Sequence, residues 1–358
     1  SFTFMIDKTK PVLTVELENA DGSPYVSDTW VNGDVTLTAS ASDTGGSGVQ
    51  TLEYSLDNGS TWTAYTSEVT LSNGVYAVRV RASDYAGNTE TDSAIVKISD
   101  GKPILTFTMQ TADSNAYTDG AWTNQPVTVS VYAEQPITGI KEITVSINGG
   151  SPQPYSNGSP IIFTAEGVHT IDVQAIDYAN NVKAEQKTIK ISYTPPSLLL
   201  TAAPTGLTNS SVTVTVTAGV YGTGNAIAQL KRASGDQTKE YFAAAGETID
   251  IGDPVFQVSQ NGIYTVYAED LAGNGTVQTI AVTNINMVTP TIHLSAFPLT
   301  PTNGNVTVTV TSYVYGAGNA IIEAKWASGN RDAAYFAAGG NPLALDIMQF
   351  AVDANGTY

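Results

Sequence analysis

Landmarks of four kinds recur along this chain at one interval of about 93 residues, which demands a series of like modules in place of one large core. A proline opens each unit at Pro11, Pro103, Pro196 and Pro290, with spacings of 92, 93 and 94. A glycine stands two residues before an aromatic ring or a histidine at Gly74, Gly167, Gly262 and Gly356. The turn Asp84-Tyr85-Ala86-Gly87-Asn88 returns as Asp177-Tyr178-Ala179-Asn180-Asn181 and as Asp270-Leu271-Ala272-Gly273-Asn274. An asparagine precedes a strand at Asn32, Asn124, Asn209 and Asn303. The units are therefore 11–102, 103–195, 196–289 and 290–358, and residues 1–10 resemble the end of a preceding repeat with its linker. The fourth unit is expected to lack most of its sixth strand and all of its seventh, as in a window cut from a longer protein.

Alternation of period two fills each unit. Val212-Thr213-Val214-Thr215-Val216-Thr217 and Val306-Thr307-Val308-Thr309-Val310-Thr311 set valines on one face and hydroxyls on the other, and Val127-Thr128-Val129-Ser130-Val131 does the same. These are half-buried antiparallel strands, and no segment has a helical period with caps. Asp57-Asn58-Gly59 and Asn148-Gly149-Gly150 supply the positive φ angles of tight hairpins. About seven short strands per unit predict an all-β chain: tandem sandwiches of immunoglobulin or fibronectin-III kind, four repeats with the last incomplete. Tyr76, Tyr264 and Tyr358 fall at the start of the sixth strand, where such sandwiches bond a tyrosine hydroxyl back to the backbone.

The first unit carries the most specific residues. Ile6-Asp7-Lys8-Thr9-Lys10-Pro11, the Asp-x-Gly-Gly-Ser-Gly-Val loop from Asp43 to Val49, Tyr54 to Trp62 and the Asp84–Asn88 turn together resemble bacterial Ig-like (Big-type) repeats. Repeats three and four lack that loop and the tryptophan. The resemblance implies secreted or surface-anchored bacterial proteins with spacing, adhesion or surface-layer duties, and it specifies no ligand.

Composition removes several functions. With 33 acidic against 15 basic side chains and a formal charge of −18, no Lys/Arg cluster exists to hold a nucleic-acid backbone. The absence of cysteine excludes disulfides, thiol nucleophiles and Cys-ligated zinc. No apolar run reaches the roughly 20 residues that span a bilayer. His169 occupies the slot of Tyr76 and Tyr264, and His293 lies in a first strand, so neither reads as catalytic. No enzymatic signature is found, and no resident cofactor is expected.

One metal centre is suggested. In an Ig-like sandwich the loops bearing Asp43 and Asp84 share a pole with the incoming linker and Asp7, and three carboxylates there suit Ca²⁺. The competing reading is a turn in which the aspartate caps its own backbone. Repeat three keeps Asp270 without acids in its loop or linker, so calcium is a candidate in repeat one only. Trp30, Trp122 and the Tyr-rich loops are candidates for sugar stacking, with packing as the plainer role.

The expected function is a non-enzymatic extracellular spacer of a bacterial cell-surface protein, in a stalk, adhesin or surface layer. Each sandwich would add about 40 Å, for a rod on the order of 150 Å. Its partners would be a cell-wall or surface glycan or a neighbouring surface protein. The alternatives are accessory glycan-binding modules of a polysaccharide-degrading enzyme and a self-assembling surface-layer or filament subunit.

Overall fold

The structure, a computed structural model, describes residues 5–44, 46–316 and 318–358. The first module has eight strands: β1 (Val12–Asn19), β2 (Trp30–Val31), β3 (Val35–Ser42), β4 (Val49–Ser55), β5 (Thr63–Ala64), β6 (Val69–Leu71), β7 (Gly74–Asp84) and β8 (Thr89–Ile98). They form a three-stranded sheet β1-β3-β6 and a five-stranded sheet β2-β8-β7-β4-β5. The second module repeats the order with Ile104–Thr111, Val127–Glu134 and Pro160–Phe163 in one sheet. Its other sheet runs Trp122–Thr123, Val182–Ile191, Gly167–Asp177, Ile140–Ile147, Gln153–Pro154. Both are two-sheet sandwiches of the immunoglobulin/fibronectin-III kind. In the third module a parallel bridge, Thr208 to Ile285, takes the place of the two-residue parallel strand. The fourth has one three-stranded sheet and the pair Lys325–Trp326 with Asn341–Pro342. The chain divides into two compact units, Ser1–Tyr193 and Thr194–Tyr358, of two modules each.

The valine–threonine alternation translates directly into the core. Val35 and Leu37, Val127, Val129 and Val131, and Val212 and Val214 are fully buried between sheets, while the intervening hydroxyl residues face outward. Each such valine removes about 1.5–3 kcal/mol worth of apolar surface from water, and the hydroxyls stay hydrated. Strand β1 lies at the edge of its sheet, with Thr14, Glu16 and Glu18 exposed.

Residues 1–4, on which most of the expected last strand of a preceding repeat falls, lie outside the described residues, and Met5 to Lys10 form no strand. Two features differ from expectation. Modules 1 and 2 have eight strands among the described residues where about seven were read, because a two-residue parallel strand is too short to show a period; the third module, without it, has seven. Two short helices occur: a 3₁₀ turn, Lys239–Ala243, and an α-helix, Ala333–Ala338, whose N-cap Asp332 accepts from the Tyr335 N–H at 2.9 Å.

The hairpin turns explain the next feature. Asn58 and Gly59 have φ of 61° and 91°, and Asn148 and Gly149 have 52° and 69°. Two successive left-handed residues match the strand twist, which Asn-Gly tolerates at small cost.

Candidate functional site

In each of the first three modules a buried aspartate ends the penultimate strand opposite a register shift. Asp84 pairs with Val49, Asp177 with Ile140 and Asp270 with Ile227, and in each case the ladder skips one residue on the facing strand. Such a bulge re-aims side chains at a sheet end. Asp84, Asp177 and Asp270 are 0%, 0% and 1% exposed, so each carboxylate requires dedicated donors.

The turn supplies them. Asp84 Oδ1 accepts from the N–H of Ala86 (2.9 Å) and Asn88 (2.8 Å), and Asp84 Oδ2 accepts from Asn88 Nδ2 (2.8 Å). Asp177 accepts from the Asn181 N–H (2.7 Å) and Nδ2 (3.0 Å), and Asp270 from the Asn274 N–H (2.8 Å) and Nδ2 (3.1 Å). The penultimate turn residue has positive φ in all three: Gly87, Asn180 and Gly273. Thus the recurring Asp-x-Ala-Gly/Asn-Asn motif is a self-capped turn.

Among the described residues, module 1 alone brings further acids to this turn. One carboxylate oxygen each from Asp7, Asp43 and Asp84 lies within 4.8 Å of the others. Asp7 Oδ1 accepts from the Thr9 N–H (3.0 Å) and Oδ2 from the Ser47 N–H (3.3 Å). Asp43 Oδ2 accepts from the Gly48 N–H (2.8 Å) and the Ser47 hydroxyl (3.3 Å). Gly45 of this loop lies outside the described residues. The Ser47 hydroxyl and Thr9 backbone hold Asp7 below the usual carboxylate range. Burial pushes Asp84 upward, but the Asn88 and Ala86 donors outweigh it and leave the group lowered, against the opposing charge of Asp7. Two oxygens bound to one calcium ion at about 2.4 Å stand at most about 4.8 Å apart. The three sequence-selected aspartates therefore form a hard-oxygen donor set of the right dimension for one such ion.

Modules 2 and 3 fill that corner with neutral donors, which the sequence reading did not select. The Thr138 hydroxyl donates to Asp177 Oδ2 (2.8 Å), and Asn225 Nδ2 donates to Asp270 Oδ2 (3.0 Å). Both precede the bulged strand, as Ser47 does in module 1, and that register is the signal that locates them. Asp7 has Ser99 as its counterpart, four residues ahead of the opening proline.

Other sequence-selected residues take packing roles. Tyr76, Tyr264 and Tyr358 donate to the carbonyls of Ser72 (3.0 Å), Gln260 (2.8 Å) and Ala354 (2.7 Å), four residues upstream in each case. His169 Nε2 makes the same bond to Ala165 (2.9 Å) while Asn148 Nδ2 meets its Nδ1 (3.3 Å), a pairing that suits the Nε2–H tautomer. Trp122 is 9% exposed, and Trp30 is half-buried with Lys97 Nζ over its ring at 5.9 Å. Arg81 covers the Trp62 ring at 4.0 Å. In the Tyr-Phe-Ala-Ala segment Phe242 is buried and stacks on Tyr267 (5.3 Å between ring centroids), while Lys231 Nζ donates to its carbonyl (2.8 Å). Asp57 accepts from the Thr61 N–H (2.9 Å) and hydroxyl (2.7 Å) and from the Ser55 hydroxyl (2.7 Å), which hold its pKa at about 2. That aspartate is a turn fastener.

A cavity of about 630 Å³ lies in the fourth module, lined by Ile292, Leu294, Trp326, Phe350 and Tyr358 among others. Ile292, Leu294, Phe350 and Tyr358 stand one repeat after Leu198, Leu200, Phe256 and Tyr264, which pack in the core of module 3, so its apolar lining is that of a sandwich core. No helix among the described residues is long and apolar enough to cross a membrane.

No family model matches the chain, and no curated protein matches it. Among solved structures it is similar to the fibronectin(III)-like modules of Clostridium thermocellum CbhA, at 15% identity over 50% of this chain and 95% of that one, with a TM-score of 0.25. It is also similar to a structure described as a tetra-tandem repeat in the extending region of a large adhesion protein, at 14% identity over 84% and 81%, with a TM-score of 0.28. A third, from a 1.5-MDa bacterial ice-binding adhesin, shares 14% identity over 78% and 99%, with a TM-score of 0.27. The assignment to tandem immunoglobulin/fibronectin-III-like sandwiches rests on strand order and core register within this chain.

Proposed function

We propose that this chain is a non-enzymatic spacer segment of an extracellular bacterial surface protein, of the Ig-like repeat type. The observation that carries this reading is what the modules share. The features common to modules 1–3 are the core valines and the self-capped aspartate turn, with a backbone-bonded corner ring beside them. All of these fix a fold. A spacer acts through the number and rigidity of its modules, and such arrays add stability module by module. Small-angle scattering on the intact chain tests it: a maximum dimension on the order of 150 Å is expected from about 40 Å per module, and a globular profile would sink it. Specific retention on a glycan array would replace it with the accessory-module reading.

Asp7, Asp43 and Asp84 further support a calcium site at the start of module 1. Bound Ca²⁺ would neutralise three converging charges and brace the incoming linker there. Calorimetric titration of the whole chain with CaCl₂ tests this: one site, lost in Asp43→Asn, is expected, and no heat of binding at millimolar calcium would overturn it.

A further inference from the structure

The asparagine that closes the capped turn also reaches outside its own module. A side-chain amide has two N–H donors. Asn88 Nδ2 lies 2.8 Å from Asp84 Oδ2 and 3.3 Å from the backbone carbonyl of Asp7. Asn181 Nδ2 repeats the pattern, 3.0 Å from Asp177 Oδ2 and 2.9 Å from the carbonyl of Ser99. Asp7 and Ser99 both stand four residues before an opening proline. Ser99 belongs to the preceding module: its N–H donates to the Val31 carbonyl at 2.9 Å, and it is 1% exposed. Asn181 is 7% exposed, so the bridge is shielded from competing water. Two further side chains tie the same junction. Gln135 Nε2 donates to the carbonyls of Gly101 (2.6 Å) and Lys102 (3.3 Å), and Asn32 Nδ2 reaches the Asn180 carbonyl (3.4 Å).

We infer that Asn181 is an inter-module lock, one amide clamping the carboxylate of its own turn and the residue that follows the last strand of the module before it, so that turn and hinge are fixed together. The chemistry is specific to asparagine here. Serine has one proton to donate, aspartate has none when ionised, and glutamine is one methylene longer than the gap. Asn88 presents the same amide to Asp7, so the device is built into the repeat. The lock rests on the spacer reading for its purpose, and its geometry is independent of it.

The chain has no cysteine, so Ser60→Cys and Ser151→Cys, both at exposed positions, place one spin label in module 1 and one in module 2. Pulsed dipolar spectroscopy on the full chain should give a single narrow distance distribution. Asn181→Ala should broaden it by about twofold or more, because adjoining modules move freely unless their contact holds them, with near-UV circular dichroism retained. An unchanged width in the folded variant would overturn the lock. Should that substitution unfold module 2, the unmutated chain decides: the Asn181 side-chain protons should exchange with solvent about tenfold or more slower than those of exposed Asn58, and equal rates would overturn the proposal. Glycan retention or substrate turnover by the chain would remove the spacer reading while leaving the label distances in place.

Discussion

Modules 1 and 2 bury the same aspartate at the same bulge and surround it in opposite ways. Around Asp84 stand two more carboxylates, from Asp7 and Asp43. Around Asp177 stand the Thr138 hydroxyl and Asn181, with Ser99 behind them. The backbone is indifferent to the choice, since both turns close with the same bonds. Module 2 is complete as it stands, because its lone charge is matched by neutral donors. Module 1 places three like charges together and gains most from a cation.

The largest contrast should come from deleting the aspartate itself. Asp177→Ala strands the Asn181 N–H, one of the two Asn181 amide protons and the Thr138 hydroxyl, and should cost about 3 kcal/mol or more. Asp84→Ala should cost less, because it also relieves repulsion with Asp7. Denaturant unfolding, with hydrogen exchange to localise the loss, ranks the two, and an equal cost would show that the extra acids are inert.

Calcium should separate the modules next. At ten times its dissociation constant a single ion adds about 1.4 kcal/mol to the module that binds it. Exchange protection should rise around Asp7, Asp43 and Asp84 and stay unchanged around Asp177. Protection in both modules would mean that the ion acts elsewhere.

Acid should separate the modules in the opposite sense, with a smaller effect. Asp7, Asp57 and Asp84 are lowered from the reference value of 3.8, Asp57 to about 2. Groups depressed in the folded state bind protons less readily there, so their contribution is present above pH 3.8 and lost as pH falls through the folded values. In module 2 Asp113 is lowered, by its bonds to Thr111 and Gln125. Module 1 should therefore unfold first between about pH 4 and pH 2, as followed by tryptophan fluorescence of Trp62 against Trp122.

The smallest effect should be His169→Tyr, which trades one corner bond for another. It should change the unfolding free energy by no more than about 0.5 kcal/mol, and a larger loss would show that the Asn148 contact matters.

Much of this was legible in the sequence for simple reasons. A strict Val/Thr alternation admits one inward face, so Val127, Val129 and Val131 announce the core. The meeting of Asp7, Asp43 and Asp84 followed from sandwich topology, which gathers two loops and a linker at one pole. Thr138 and Asn225 were not legible, because a hydroxyl or amide in a loop has no periodic signature. Their role follows from loop length and from the bulge opposite Asp177 and Asp270. The helix Ala333–Ala338 was missed because six residues give less than two turns, too few for an amphipathic pattern to repeat.

The outer edge of β1 is covered at its end, where the Tyr25 N–H donates to the Leu17 carbonyl and Glu18 bridges Pro24, and the earlier part of that edge has a consequence for crowding. A bare strand edge offers N–H and C=O groups to any neighbour, and side-by-side copies of this chain would present many such edges. Glu16 and Glu18 on that strand, within a net charge of −18, act as electrostatic insulation between adjacent copies. Its range is about 8 Å at physiological salt and about 3 Å at 1 M. In brine, copies of this chain at high concentration would lose that insulation between strand edges.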